Sequence, residues 1–248
     1  MSEPTNDAPG RRAAKSPELP KRFYDAASVA TVDGTCRVLL DGRPVRTPKS
    51  LVVEVYSHRL AQALCDEWAA QGTHIDPRTM PLTTLVNSAL DGVVGNESAV
   101  IDAIAPFVAS DLLSYRAQGP QELVQLQSRT WNPILHWAGE ELGLGLVTTA
   151  GVMPVSQPDN AEPRARELLS SYDAFALSAL HVLTTLSGSL VIALAVARGH
   201  LSVADAWAGA HVDEDYQISQ WGADDEARTR RAYRRTQFDA AARLLQLL

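Results

Sequence analysis

A chain of 248 residues holds one large or two modest domains, with enough apolar material for a sizeable core. Hydrophobic residues make up 46% and charged residues 21%, the balance of a soluble globular protein. The net charge of −7 argues against a nucleic-acid binder, which would carry a basic face, and its diffuse spread implies solubility more than a cationic partner.

The two cysteines, Cys36 and Cys65, fit no CxxC or zinc-finger spacing. Both lie among apolar neighbours, as small buried residues of a reducing compartment do. Residues 1–20 lack an apolar h-region, and Glu3, Asp7, Glu18 and the prolines oppose an amphipathic presequence. This segment is expected to be a disordered tail on a cytoplasmic protein.

From Lys21 the chain reads as β-structure. Ala27 to Val32 is a strand, Asp33-Gly34 a hairpin turn, and Cys36, Val38 and Leu40 alternate with Arg37 and Leu39. Asp41-Gly42-Arg43-Pro44 is a second turn, and Val45 to Thr47 and Leu51 to Val55 supply further strands. Ser57 caps a helix reaching Ala70, with Leu60, Leu64 and Trp68 facing the strands and Gly72 as its terminator. A proline-bracketed connection leads to a second helix over Leu82 to Val93. Beyond Asn96 almost everything reads as helix: Glu97 to Ala109, Gln121 to Leu142 with a bend or a new helix start near Pro133, Glu162 to Ser171, one capped by Ser202, and Asp224 to Leu248. Leu144 to Val155 is a loop or a short strand pair. The fold class is therefore α+β, with a tail (1–20), a strand-rich domain covered by one or two helices (21–95), and an all-helical, bundle-like domain (96–248).

The stretch Ala174 to Ala197 contains no Asp, Glu, Lys or Arg. Its length would suit a membrane span, but it carries Ser178, His181, Thr184, Thr185, Ser187, Gly188 and Ser189 and lacks basic or aromatic flanks. It is read as one buried helix, or two meeting near Ser187-Gly188-Ser189, where Gly188 lets a neighbour come close, and His181 is expected to be a hydrogen-bonded core residue.

No HExxH, GxSxG, P-loop or Rossmann fingerprint appears, and no cofactor is expected. Acids cluster at Asp213-Glu214-Asp215 and at Asp224-Asp225-Glu226. In an acidic-site hydrolase or metal-binding enzyme Asp213, Glu214, Asp225 and Glu226 would surround one pocket. The alternative is a solvated helix start, with Asp224 paired to Arg228 and Glu226 to Arg230. Of the five tryptophans, Trp68 reads as core, and Trp221, set beside Gly222 between two acidic clusters, as a contact residue.

The phrases KRFYDAASV, LLDGRPVRTP, EWAAQGTHIDPRTMPLTTLVNSALD, DLLSYRA, WNPILHWA, VSQP, LSGSLVIALAVARGHL and VDEDYQISQWGADDEA follow one another in the chain. In this order they resemble the assembly chaperones for the α subunit of the F-type ATP synthase catalytic head, over residues 21 to about 245. The resemblance implies a non-enzymatic protein of mitochondria or their bacterial relatives. Such a protein binds free α, covers the surface that β later occupies, and has a small α+β domain followed by a helical one. It also implies a functional acid at Glu214 or within Asp225-Glu226, and a sensitive position at Trp68. The expected client-binding set is Glu214, Trp221, Asp225, Glu226 and Arg230. The free protein is expected to be a monomer without nucleic-acid partner or integral membrane segment, located in a bacterial cytoplasm or, in a eukaryote, the mitochondrial matrix.

Overall fold

The computed structural model describes residues 19–151 and 153–248. The expected tail falls almost wholly on residues 1–18 and so lies outside the described residues. The first element is a tight antiparallel meander. Strands β1 (Ala27–Val32) and β2 (Thr35–Leu40) pair from Ala27↔Leu40 to Val32↔Thr35. The two-residue loop between them needs positive φ at both positions, and Asp33 (49°) and Gly34 (81°) supply it. The same device recurs at Asp41-Gly42, which turns β2 into β3 (Arg43–Pro44). The strands expected over 45–47 and 51–55 shrink to the bridge Arg46↔Val52 and to β4 (Glu54–Val55), which pairs with the start of β2. Cys36, Val38 and Leu40 are buried on one face, as their alternation requires.

Helix α1 (His58–Ala69) lies on that face with Leu60 and Leu64 fully buried. Ser57 Oγ accepts from the Leu60 amide at 3.2 Å. The helix does not end on Gly72, which keeps a negative φ. Instead Arg22 donates to the carbonyls of Ala69 and Gln71, and the Gln71 amide group bonds Glu67 O and the Asp76 N–H. Trp68 is only partly buried. It meets Tyr24 edge-on at 5.8 Å, and the Tyr24 hydroxyl donates to the Trp68 carbonyl.

Helix α2 (Pro81–Ser88) has no cap of its own. Glu67 of α1 provides one, accepting from Leu82 N at 2.9 Å, Thr83 N at 2.7 Å and Thr83 Oγ1 at 2.7 Å. Burial raises its carboxyl pKa, and those donors oppose the rise. Glu67→Ala leaves two amides at a helix N-terminus without their acceptor. It should lower stability by about 2 kcal/mol in chemical denaturation, and a loss under about 0.5 kcal/mol would show that water replaces the carboxylate freely. The second helix expected over 82–93 divides into α2 and a wider π-helical turn, Ala89–Val93.

Helix α3 (Glu97–Ile104) is shorter than expected, because Pro106 and its neighbours continue as a 3-10 helix over Ala105–Ser110. After a turn at Leu112–Ser114, β5 (Tyr115–Arg116) pairs in parallel with β6 (Thr149–Ala150). One residue of the stretch expected as loop or strand pair, Val152, lies outside the described residues. Helix α4 (Gln121–Leu142) runs through Pro133 without interruption and ends on Gly143 in the left-handed region. Helix α5 (Ala161–Leu169) follows.

The uncharged stretch forms two buried helices, α6 (Ala174–Ser187) and α7 (Leu190–Ala197). Of the two alternatives the sequence leaves open, the chain takes the second, and the break falls near Ser187-Gly188-Ser189. Gly188 takes φ 71° as the end of α6, and Ser189 Oγ caps α7 by accepting from Ile192 N at 3.0 Å. No single helix among the described residues is long and apolar enough to cross a membrane. Leu190 to Leu194 are each fully buried. Such residues contribute roughly 1.5–3 kcal/mol apiece for the larger side chains. Helices α2 and α10 (Asp225–Leu247) pack on α6, and α8 (Val203–Ala210) on α7. His181 is not a hydrogen-bonded core residue. It is half-buried on the wall of an apolar groove of about 390 Å³ with Thr84, Leu85, Val100 and Gln237, and burial lowers its pKa.

One carboxylate ties this centre together. Asp111 is fully buried and accepts from Leu113 N at 3.1 Å and from Val191 N at 3.2 Å, with the Ser189 hydroxyl and the Leu190 amide also directed at it. The adjacent Leu112 amide donates to Gly188 O at 3.0 Å. The segment Asp111–Ser114 is thereby held against the first turn of α7.

Candidate functional site: the groove between the last two helices

Helix α8 starts on Ser202, whose hydroxyl accepts from Asp205 N at 3.1 Å, and ends at His211. His211 breaks the run (φ −124°, ψ 22°) and opens α9 (Val212–Trp221), a helix that the residue pattern did not separate from its surroundings. The His211 ring stacks on Trp207 with centroids 3.8 Å apart, and its Nδ1 lies 2.8 Å from Trp207 O. Trp207 packs edge-on against Phe238 of α10, with the Arg235 guanidinium 5.3 Å from its ring centroid. Burial lowers the His211 pKa, the hydrogen bond to the Trp207 carbonyl opposes that shift, and Arg234 and Arg231 add to it. These contacts fix α9 to α10 from below.

Arg231 fixes it from the side. This largely buried guanidinium of α10 stands 3.6 Å from Glu214 and pairs with Asp215, both on the first turn of α9. Asp213 turns the other way and accepts from the buried Gln127 Nε2 of α4 at 2.6 Å. Arg116 donates to the Gln127 carbonyl and lies over the Trp131 ring. Three consecutive acids thus serve two different neighbours.

The far end of α9 is open. Gly222 (φ 77°) turns the chain, and Asp224 caps α10 by accepting from Ala227 N at 2.7 Å. Between the helices lies a groove of about 300 Å³, walled by Glu214, Gln217, Ile218, Trp221, Arg228 and Arg231. Trp221 is 78% exposed, a large apolar ring on a surface with acids and arginines around it.

Of the expected client-binding set, Glu214 and Trp221 line this one groove. Asp225, Glu226 and Arg230 lie on the exposed first turns of α10 and are not among its lining residues. The expected pair Glu226–Arg230 is present at 3.0 Å. Asp224 does not pair with Arg228, because capping engages its carboxylate, and Asp225 takes the arginine instead. Asp213 lines a neighbouring cleft with Glu214, so the four carboxylates of the enzyme reading do not share a pocket. Among the described residues no group of three or more His, Cys, Asp or Glu side chains is placed to hold a metal. Sequence reasoning missed Arg231, whose partners are sixteen and seventeen residues earlier, and the stacked Trp207–His211 pair, for which the four-residue spacing on one helix face was an available signal.

Residues 21–139 match the family model described as ATP12 chaperone protein. The mitochondrial protein atp12 of Schizosaccharomyces pombe is 25% identical over 219 residues, 84% of this chain and 75% of its own length. The crystal structure of Atp12 from Paracoccus denitrificans superposes with a TM-score of 0.87 at 38% identity, covering 92% of this chain and 98% of that one. A solved structure from Agrobacterium tumefaciens is similar at 44% identity and a TM-score of 0.88, over 92% of this chain and 86% of its own. With the same small strand-rich start, the same helical remainder and this degree of identity along nearly the whole length, the chain belongs to the ATP12 chaperone family.

Proposed function

We propose that this protein binds the free α subunit of the F-type ATP synthase and shields its β-contacting surface until the catalytic head assembles. Membership of the ATP12 chaperone family along nearly the whole chain carries the reading. The α9–α10 groove supports it with a contact surface of suitable chemistry. Trp221 supplies an exposed aromatic anchor, and Glu214, Arg228 and Arg231 form a polar rim that orients the partner. Asp225, Glu226 and Arg230 extend that rim along α10. A stable complex covers about 800 Å² on each partner, more than the groove alone, so the contact continues onto neighbouring surfaces. The protein works as a monomer without a cofactor, in the compartment where α is made or imported: the cytoplasm of a bacterium or the matrix of a mitochondrion.

The test is co-expression. The α subunit made alone should be largely insoluble and should move to the soluble fraction when this chain is made with it. No change in α solubility at matched expression would defeat the proposal.

A further inference from the structure

A second open cleft, of about 830 Å³ against about 300 Å³ for the α9–α10 groove, lies on the strand-rich part of the chain. It is formed by the segments 21–25, ahead of β1, and 40–46, across the turn from β2 to β3, and is completed by Trp68 of α1. Tyr24, Leu40 and Val45 are its buried lining. Phe23, by contrast, is 73% exposed. Its ring meets Tyr24 edge-on at 5.4 Å, and Tyr24 meets the partly buried Trp68 edge-on at 5.8 Å. Three aromatic rings thus share one open cleft, with apolar surface left for a partner.

The charges around the cleft select its occupant. The two segments carry Lys21, Arg22, Arg43 and Arg46 against Asp25 and Asp41. Arg22 is committed, donating to the carbonyls of Tyr24, Asp25 and Gln71 with its guanidinium 4.6 Å from the Tyr24 ring centroid. Asp41 is committed as well. It accepts from the amides of Ala26 and Asp25, which lower its pKa, and Arg22 and Arg43 add to that. The acids beside Trp68 are turned elsewhere, Asp66 to Gln62 and Glu67 to the start of α2. Arg46 spends one nitrogen on Ser50 O at 2.7 Å. Arg43 lines the cleft, and its guanidinium makes no hydrogen bond or ion pair among the described residues. Two exposed guanidinium groups three residues apart therefore keep donors free, in the fork geometry that fits a carboxylate.

We propose that this cleft holds an acidic segment of the client chain, in which an aromatic or prolyl side chain packs on Phe23 and Trp68 while neighbouring carboxylates meet Arg43 and Arg46. The proposal rests on the chaperone reading and supplies part of the contact that the α9–α10 groove is too small to provide. Phe23, Arg43, Pro44 and Arg46 are all exposed, so the cleft suits a length of chain lying across it better than an engulfed small molecule. A lysine-rich segment would face four cations against two acids, and that imbalance disfavours it.

Two probes of the full chain separate this proposal from the reading beneath it: purified α subunit, and an end-blocked peptide with a Phe-Pro pair between two acidic residues on each side. The peptide should bind, shift the NMR signals of the Phe23 and Trp68 side chains, and bind less tightly as salt is raised. Arg43→Glu and Phe23→Ser alter exposed side chains, so thermal stability should hold, and each should weaken binding of both probes roughly tenfold or more. Arg43→Lys keeps the charge but loses the fork, and should fall between. The same peptide with lysines in place of its acids should not bind. If α is captured equally well by the unaltered chain and by both variants, and the peptide does not bind, the cleft proposal falls and the chaperone reading stands. If the peptide binds but α is not captured, the α-subunit reading falls, and with it the client as occupant. Equal binding of the acidic and lysine peptides would show that the arginines select nothing and would overturn the proposal. A chain that runs as a dimer with Phe23 and Trp68 already covered would place a second copy in the cleft and overturn it as well.

Discussion

Asp111→Ala is expected to destabilise the protein by about 3–4 kcal/mol, more than any other single polar substitution considered. The carboxylate is the acceptor for the amides of Leu113 and Val191 and sits at the start of the fully buried helix α7. Truncation leaves those donors without a partner in a place water reaches poorly, and opens a cavity beside Gly188. Asp111→Asn keeps the shape but turns an amide group toward donors, so it should also destabilise, by less. The two variants differ further in pH dependence. Burial pushes the Asp111 carboxyl from its ordinary 3.8 up to about 6. Between these values the folded chain holds a proton that the unfolded chain has released. This group's contribution to stability is therefore full below about pH 4 and falls as pH rises through 6, by about 3 kcal/mol in all. The asparagine variant lacks that slope. Urea denaturation of the three proteins at several pH values checks both statements. A loss below about 1 kcal/mol for Asp111→Ala would remove Asp111 from the centre of this account.

The second large effect is on binding. Trp221→Ala should weaken capture of the α subunit by roughly 2 kcal/mol, about thirtyfold, while leaving thermal stability nearly unchanged. The side chain is 78% exposed and ends a helix fixed elsewhere, by the Trp207–His211 stack and by Arg231. Little of the fold depends on it. Glu214→Lys should weaken capture as well, but it also sets a cation against Arg231, and some stability should be lost with it. A Trp221→Ala protein that captures α with unchanged affinity would move the contact away from this groove.

The features legible in the sequence are those decided within a few residues. Asp33-Gly34 and Asp41-Gly42 announce hairpins because only such residues take positive φ cheaply. Ser57 and Ser202 announce helices because a cap is a bond to an amide three residues on. The charge-free run over 174–197 identifies the core, and Gly188-Ser189 its break. What stayed hidden depends on distant partners. Nothing near Glu67 shows that it caps a helix fifteen residues later, nor does anything near Asp111 point to Val191. His181 looked like core because its neighbours are apolar, yet one side of α6 faces a groove. Helix α9 was lost because His211 breaks the chain without the glycine or proline that usually marks a boundary. For the same reason the groove could be anticipated only through Trp221 and Glu214. Its walls on α10 become neighbours of α9 only after the chain turns at Gly222.

The measurement that bears most directly on the central claim is isolation of the complex with α, followed by addition of β. The account predicts a soluble complex with one copy of each chain, from which β, combining with α, displaces this protein. Insoluble α in its presence, or a complex that persists while β combines freely with the bound α, would contradict it.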